Sequence, residues 1–205
     1  MTDLDAAQLE LPEPGRPVFY PKVGHCIYRG IIEDPAAPDT KLLELEDIEE
    51  GSRILIPLER VRALGLRPAG SSLEVIKDEL HTEFEAPMET EEDRQTIIDG
   101  LIEEGTPRSL SKALKRLHLA RQTTGLSREE EQTRRKIRSW LAAEVALSRD
   151  CTRAEAQALI TRVLQETMAA HRKREKEEAK ERRRAAKAEA EREAAEAASQ
   201  PEKTD

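Results

Sequence analysis

The stretch Gly51-Ser-Arg-Ile-Leu-Ile-Pro-Leu-Glu-Arg-Val-Arg-Ala-Leu-Gly-Leu-Arg-Pro68 divides the sequence, because short β-like runs precede it and helical patterns follow it. Ile54-Leu55-Ile56 is a β-branched-rich run that ends at Pro57, which has no backbone N–H and therefore ends a strand or places it at a sheet edge. Since side chains alternate along a strand, Ile54 and Ile56 share one face, and Leu55 lies on the other. Leu55 either awaits a partner protein or lies beneath a helix of the same chain.

The hydrophobic pattern upstream predicts a small β-module. His25 to Glu33 predicts a strand with a bulge at Gly30, and residues 34–39 predict a loop. From Lys41 to Ile48, leucine and glutamate alternate with the period of two that indicates a half-buried strand. Residues 49–52 predict a hairpin turn. Three to five short strands in about 50 residues favour a small, strongly bent barrel of the SH3 or Tudor type.

Five helix starts follow, each with a capping signal before an apolar stripe of helical period. The signals are Ser71 with Glu74, Thr90 with Asp93, Thr106 with Pro107, Ser127 with Glu130, and Thr152 with Glu155. The predicted core positions are Leu73, Ile76, Leu80, Ile97, Ile98, Leu101, Ile102, Leu110, Ala113, Leu114, Leu117, Ile137, Leu141, Val145, Ala156, Leu159, Ile160, Val163 and Leu164. These positions predict a compact helical domain.

After His171 the apolar stripe disappears, and only alanine interrupts the charged residues. Oppositely charged side chains four apart support an isolated helix, which we expect to continue into solvent and to fray before Pro201. The fold class is therefore α+β: a small Tudor/SH3-like barrel, an all-α domain and a long charged C-terminal helix. The predicted domains are a disordered acidic lead (1–16), the β-module (17–69), the helical domain (70–168) and the charged tail (169–205).

The charge is unevenly distributed along the chain. Residues 1–105 carry 25 acidic and 10 basic side chains, whereas residues 106–205 carry 17 and 24. The acidic half disfavours non-specific nucleic-acid binding, because phosphate neutralisation needs Lys and Arg. Cys26 and Cys151 are far apart and predict reduced thiols. The sequence shows neither a signal peptide nor an apolar run of roughly 18 residues, so we expect a cytosolic protein without a membrane span.

The sequence contains no pattern typical of a catalytic or metal site. The four histidines are scattered, and there is no phosphate-binding glycine loop, nucleophile elbow or DxD pair. We therefore expect a monomeric binding protein that is not an enzyme and uses no cofactor or metal.

Several motifs resemble the CarD/CdnL family of bacterial RNA polymerase-binding transcription regulators. They are Tyr20-Pro-Lys-Val-Gly24, Gly51-Ser-Arg-Ile-Leu-Ile-Pro57 with Val61 and Gly65-Leu-Arg67, Gly125-Leu-Ser-Arg-Glu through Arg135 with Glu144-Val-Ala-Leu, and Asp150-Cys-Thr-Arg-Ala-Glu155. The resemblance covers residues 17–168 and implies a Tudor-like domain, of a type shared with transcription-repair coupling factor, that docks on the polymerase β subunit through its outer strand. The matching positions are Leu55 and Pro57, with Arg53 and Leu43 nearby. A polymerase-bound protein would be associated with the nucleoid.

The sequence departs from that family in the helical domain. Family members carry a tryptophan followed by arginines at the start of the second helix, where the tryptophan wedges into promoter DNA. The matching position here is Glu91, and only Arg94 matches an arginine, which makes Arg94 a candidate contact to DNA phosphate. The lone Trp140 lies beside Leu141 in a helical stripe and is predicted to be packed core. The resemblance therefore implies polymerase docking without the DNA wedge.

Two alternatives remain open. In the first, the chain is an adaptor that keeps the fold but binds another partner, and the acidic residues 89–93 contact a basic protein. Alternatively, the helical domain still contacts DNA through the basic residues Arg108, Lys112, Lys115 and Arg116. The competing interpretation of these four residues is a solvated helix face.

Overall fold

The computed structural model describes residues 11–71, 73–82, 84 and 90–199. The predictions for residues 1–10 and for fraying after residue 199 lie outside the described residues. Within them the chain is α+β, with five strands followed by five helices. The strands are β1 (Pro17–Tyr20), β2 (Gly24–Asp34), β3 (Ala37–Asp47), β4 (Arg53–Pro57) and β5 (Arg67–Pro68). The helices are α1 (Leu73–His81), α2 (Glu91–Glu104), α3 (Pro107–Thr123), α4 (Arg128–Arg149) and α5 (Arg153–Ser199).

The five strands form one antiparallel sheet in the order β4-β3-β2-β1-β5. The sheet is open, with β4 and β5 at its two edges, and the predicted closure into a barrel is not observed among the described strands. One reason is the shortness of β5, whose two residues include Pro68, which has no N–H for a further ladder bond.

The hairpin between β2 and β3 corrects one prediction. Residues 34–39 were expected to form a loop, but β2 extends to Asp34 and β3 begins at Ala37, with these two residues paired. The Asp34 side chain accepts a hydrogen bond from the N–H of Ala36 at 2.9 Å, which closes the turn locally. The predicted bulge at Gly30 is confirmed by a register shift between Tyr28 and Gly30.

Side-chain caps fix the starts of four helices as the sequence predicts. Thr90, Thr106, Ser127 and Thr152 each accept a hydrogen bond from the backbone N–H three residues later. Ser127 and Glu130 form a reciprocal capping box, and Pro107 occupies the first turn of α3. The residue before α1 lies outside the described residues.

Two hydrophobic cores lie within residues 1–164, one of the two compact units of the chain. The β-core contains Val18, Tyr28, Leu45 and Ile56, and the helical core contains the predicted residues of α3 and α4. Phe19 belongs to the helical core although it lies on β1. The β-module and the helices therefore share a packed junction. Of the α2 stripe, only Ile98 is fully buried.

Residues 165–205 form the second unit. Helix α5 continues through it to Ser199, and every side chain from residue 172 to residue 190 is exposed. This agrees with the prediction of a charged helix that extends into solvent.

Candidate functional site

Strand β4 offers a backbone edge for another chain. Among the described residues it pairs only with β3, so the N–H and C=O groups on its other side have no strand partner. Leu55 lies in the middle of β4, opposite Glu44, and is 42% exposed. Its neighbours Ile54 and Ile56 pack against the β-core, as the alternation of the strand predicts. Of the two interpretations of Leu55, the one that places it beneath a helix of the same chain does not fit this exposure.

Two charged pairs lie on the outer face of the sheet, one of them directly beside Leu55. Arg53 Nε lies 2.6 Å from Glu44 Oε1, and Arg29 Nη2 lies 2.6 Å from Glu46 Oε2 on the neighbouring strands. The result is one exposed leucine among oriented ion pairs, a combination that suits recognition of a specific partner strand. Sequence reasoning did not select Glu44, although the Leu-Glu alternation of β3 places it on the outer face.

The four predicted docking residues are not all on this face. Leu43 is opposite Ile56 in the ladder and is fully buried in the β-core, so its side chain is not part of the surface. Pro57 is half-buried at the end of β4. The exposed candidate surface, which we call the β4 edge, therefore consists of Arg53, Leu55 and Pro57.

A buried carboxylate joins the β-module to the helices. Glu144 on α4 is fully buried; its Oε1 lies 3.3 Å from His25 Nε2 and 2.8 Å from Arg67 Nη2. Its Oε2 accepts hydrogen bonds from the N–H groups of Gly70 and Ser71 at 2.8 and 2.7 Å. Burial alone would raise the pKa of Glu144, but the His25 hydrogen bond, the Arg67 charge and the Ser71 N–H together lower it to about 2. The carboxylate stays ionised and connects β2, β5 and the segment before α1.

Aromatic packing continues this junction. Trp140 is 3% exposed, as predicted for a core residue, and its ring lies edge-to-face with Phe19 at 5.3 Å between centroids. The indole lies directly against Gly24, whose φ of +126° and missing side chain both suit this close approach. Arg67 lies 4.6 Å above the Phe19 ring, so one arginine contacts both the carboxylate and the aromatic layer. Local sequence signals do not reveal this cluster.

The helical domain is the part of the chain for which a comparison with known protein families gives a match. Residues 75–161 match the family model described as CarD, C-terminal domain. The match supports a CarD-like, transcription-related protein, and it extends from α1 into α5. No curated protein matches the chain.

In this CarD-like helical domain, the first turn of α2 carries Glu91, Glu92 and Asp93, whose negative charges are stabilised by the positive end of the helix. Arg94, predicted as a phosphate contact, is instead buried, with Nε 2.5 Å from Glu130 Oε1 and Nη2 3.1 Å from Oε2. The hydrogen bond to Glu130 raises the pKa of Arg94. This guanidinium binds a carboxylate of its own chain and is not available to DNA.

The basic residues of α3 do not form one exposed surface either. Lys115 is buried, and its Nζ donates to the backbone oxygen of Glu79 at 3.0 Å, while burial lowers its pKa. Arg108 is exposed, with Nε 3.8 Å from Glu79 Oε2, and Lys112 and Arg116 are half-buried. Neither the DNA-contact nor the solvated-face interpretation fits Lys115, which is a core residue.

Both cysteines are free thiols. Burial, with a smaller contribution from Asp47, raises the pKa of Cys26 to about 12, so its thiolate is scarce at neutral pH. Within the described residues, no group of three or more His, Cys, Asp or Glu side chains is arranged to hold a metal ion. Over the same part of the chain, no helix is both long and apolar enough to cross a membrane.

Proposed function

We propose that this protein is a transcription regulator of the CarD/CdnL type that docks on the β subunit of bacterial RNA polymerase through the β4 edge. The match of the helical domain to the CarD C-terminal domain supports the class. The observation that carries the docking proposal is the unpaired edge of β4 with Leu55 exposed in its centre. A protein of this kind acts in the cytoplasm, on the nucleoid.

Docking proceeds by strand addition. An extended segment of the polymerase pairs with the free backbone groups of β4, and these hydrogen bonds give affinity with little dependence on sequence. Leu55 then supplies selectivity, because covering its exposed part removes apolar surface from water and contributes about 1 kcal/mol. Arg53 is held by Glu44 beside it and is pre-oriented for an acidic or polar group on the incoming strand.

The regulator acts without an aromatic DNA wedge. The first turn of α2 presents three carboxylates, which repel phosphate and cannot stack on a base. The single tryptophan is in the core, where it holds the β-module against the helices. The proposed activity therefore depends on protein contacts more than on direct contacts with DNA.

The test is a pulldown of the polymerase β-subunit lobe with the wild-type chain, Leu55→Glu and a matched control. Val75→Glu is that control, because Val75 is also a surface hydrophobic residue, 39% exposed, but lies on α1. We expect Leu55→Glu to lose at least about tenfold in affinity, since a carboxylate replaces an apolar contact in the paired strand. We expect Val75→Glu to bind as the wild type does.

Two outcomes would contradict the proposal in different ways. Equal retention of wild type and Leu55→Glu would remove the β4 edge as the docking surface. If the wild type does not bind the lobe, the alternative of an adaptor with another partner gains support, and co-purification from cells then identifies that partner.

A further inference from the structure

A cavity of about 440 Å³ lies at the junction of the β-module and the helices, away from the β4 edge. Its walls come from the turn after β1, the short helical turn at residues 62–64, the end of α2 and the middle of α4. The volume falls within the range of roughly 300–1,000 Å³ that small-molecule sites occupy. A molecule in this cavity touches both halves of the unit formed by residues 1–164.

The floor of the cavity is apolar and includes an aromatic ring. Leu64, Ile102 and Ile137 line it together with Trp140. Ile137 and Trp140 are almost fully buried, so a ligand contacts mainly the half-buried Leu64 and Ile102. A small apolar group gains by covering these two side chains, because their exposed apolar area is then removed from water.

The polar groups at the cavity are mainly cationic. Lys22 and Lys136 are both exposed, and within the described residues neither has a carboxylate at ion-pair distance. The Lys136 ammonium lies 4.8 Å from the Trp140 ring centroid, which holds its charge at the apolar wall. Glu103 lines the α2 side and opposes them, leaving a net charge of one positive unit.

We propose that this cavity is a binding site for a small apolar carboxylate. The apolar part covers Leu64 and Ile102, and the carboxylate pairs with Lys22 and Lys136. Because the ligand contacts the β-module and the helices together, its binding stabilises their packed arrangement. The site uses none of the residues of the β4 edge, so the proposal is independent of polymerase docking.

The test uses 2-naphthoate as the probe and the full-length chain labelled with ¹⁵N. Trp140 is the single tryptophan of the sequence, so its indole N–H gives one resonance that reports on the cavity wall. We expect 2-naphthoate to shift this resonance with a saturating titration curve. The neutral analogue 2-naphthamide tests the role of charge, and we expect it to bind more weakly by about threefold or more.

Three charge variants sharpen the test. Lys22→Gln and Lys136→Gln each weaken naphthoate binding by about threefold, and Glu103→Gln tightens it by a similar factor, as expected for partly exposed charges. Lys180→Gln on the exposed part of α5 is the matched control and leaves the affinity unchanged. The absence of an indole shift, or equal affinities for naphthoate and naphthamide in all variants, would overturn the proposal.

Discussion

Replacing Glu144 with glutamine tests how the two halves of residues 1–164 are held together. The carboxylate accepts hydrogen bonds from the N–H groups of Gly70 and Ser71 and pairs with His25 and Arg67. Glutamine has nearly the same shape as glutamate but carries no charge. Its NH₂ group takes the place of one carboxylate oxygen and cannot accept the hydrogen bonds made there. The variant therefore removes the charge while perturbing the packing little.

The magnitude follows from the pKa of this carboxyl, about 2 in the folded chain against an ordinary value of 4.5. One pKa unit corresponds to about 1.4 kcal/mol, so the ionised group contributes about 3 kcal/mol to the free energy of unfolding. Because the folded pKa lies below the unfolded one, this contribution is complete above pH 4.5 and is lost as the pH falls toward 2. At pH 3 about half of it remains.

The assay is urea unfolding of wild type and Glu144→Gln, followed by the fluorescence of Trp140, at pH 7 and at intervals down to pH 3. We expect the variant to be less stable by about 3 kcal/mol at pH 7 and the difference to fall by about half at pH 3. Other carboxylates titrate in both proteins and cancel in the difference. A difference that stays constant over this range would refute the argument, because the loss would then come from packing.

Glu131→Gln is the matched control. Hydrogen bonds from Arg134, against the opposing effect of burial, also lower the pKa of Glu131 to about 2, but its side chain is partly exposed at the surface of α4. Solvent screens such a pair, so we expect a loss of less than about 1 kcal/mol.

Two further substitutions probe the same junction and the second buried ion pair. Gly24→Ala places a methyl group against the Trp140 indole and lowers the free energy of unfolding, measured with urea, by about 2–3 kcal/mol. Gly30→Ala is the control, because Gly30 has a similar positive φ but open space around it, so this variant shows the backbone strain without the clash. Equal losses of stability in the two variants would contradict the packing explanation. Arg94→Ala removes the ion-pair partner of the buried Glu130, which keeps only the Ser127 N–H, and lowers the free energy of unfolding by about 3 kcal/mol. DNA affinity in a gel shift does not change, and a stable variant that has lost DNA binding would contradict the burial of this arginine.

Short-range signals in the sequence predict much of this fold. The caps at Thr90, Thr106, Ser127 and Thr152 were predicted correctly because each depends on residues within one turn of the helix start. The outward position of Leu55 follows likewise from the alternation of a strand that ends at a proline. In both cases the partner atoms are close in sequence.

The junction could not be predicted from local patterns. Glu144 and His25 are separated by 119 positions, and nothing in the surrounding residues of either one indicates that they pair. The same limit explains Lys115 and Arg94, which have the composition of a solvent-exposed helix face but are covered by α1 and by the start of α4. The family resemblance places Leu43 near the outer strand, whereas the ladder register turns its side chain inward, opposite Ile56.

The short length of β4 has a consequence for self-association. An unpaired strand is a template for identical chains as well as for a partner, and long, flat, apolar edges seed fibrils. Here the strand has five residues, with a charged arginine at one end and a proline at the other. A single partner segment can pair with these five residues, but the arginine and the proline at the two ends keep the paired strand from becoming a long, flat, apolar edge, which limits the stacking of identical chains.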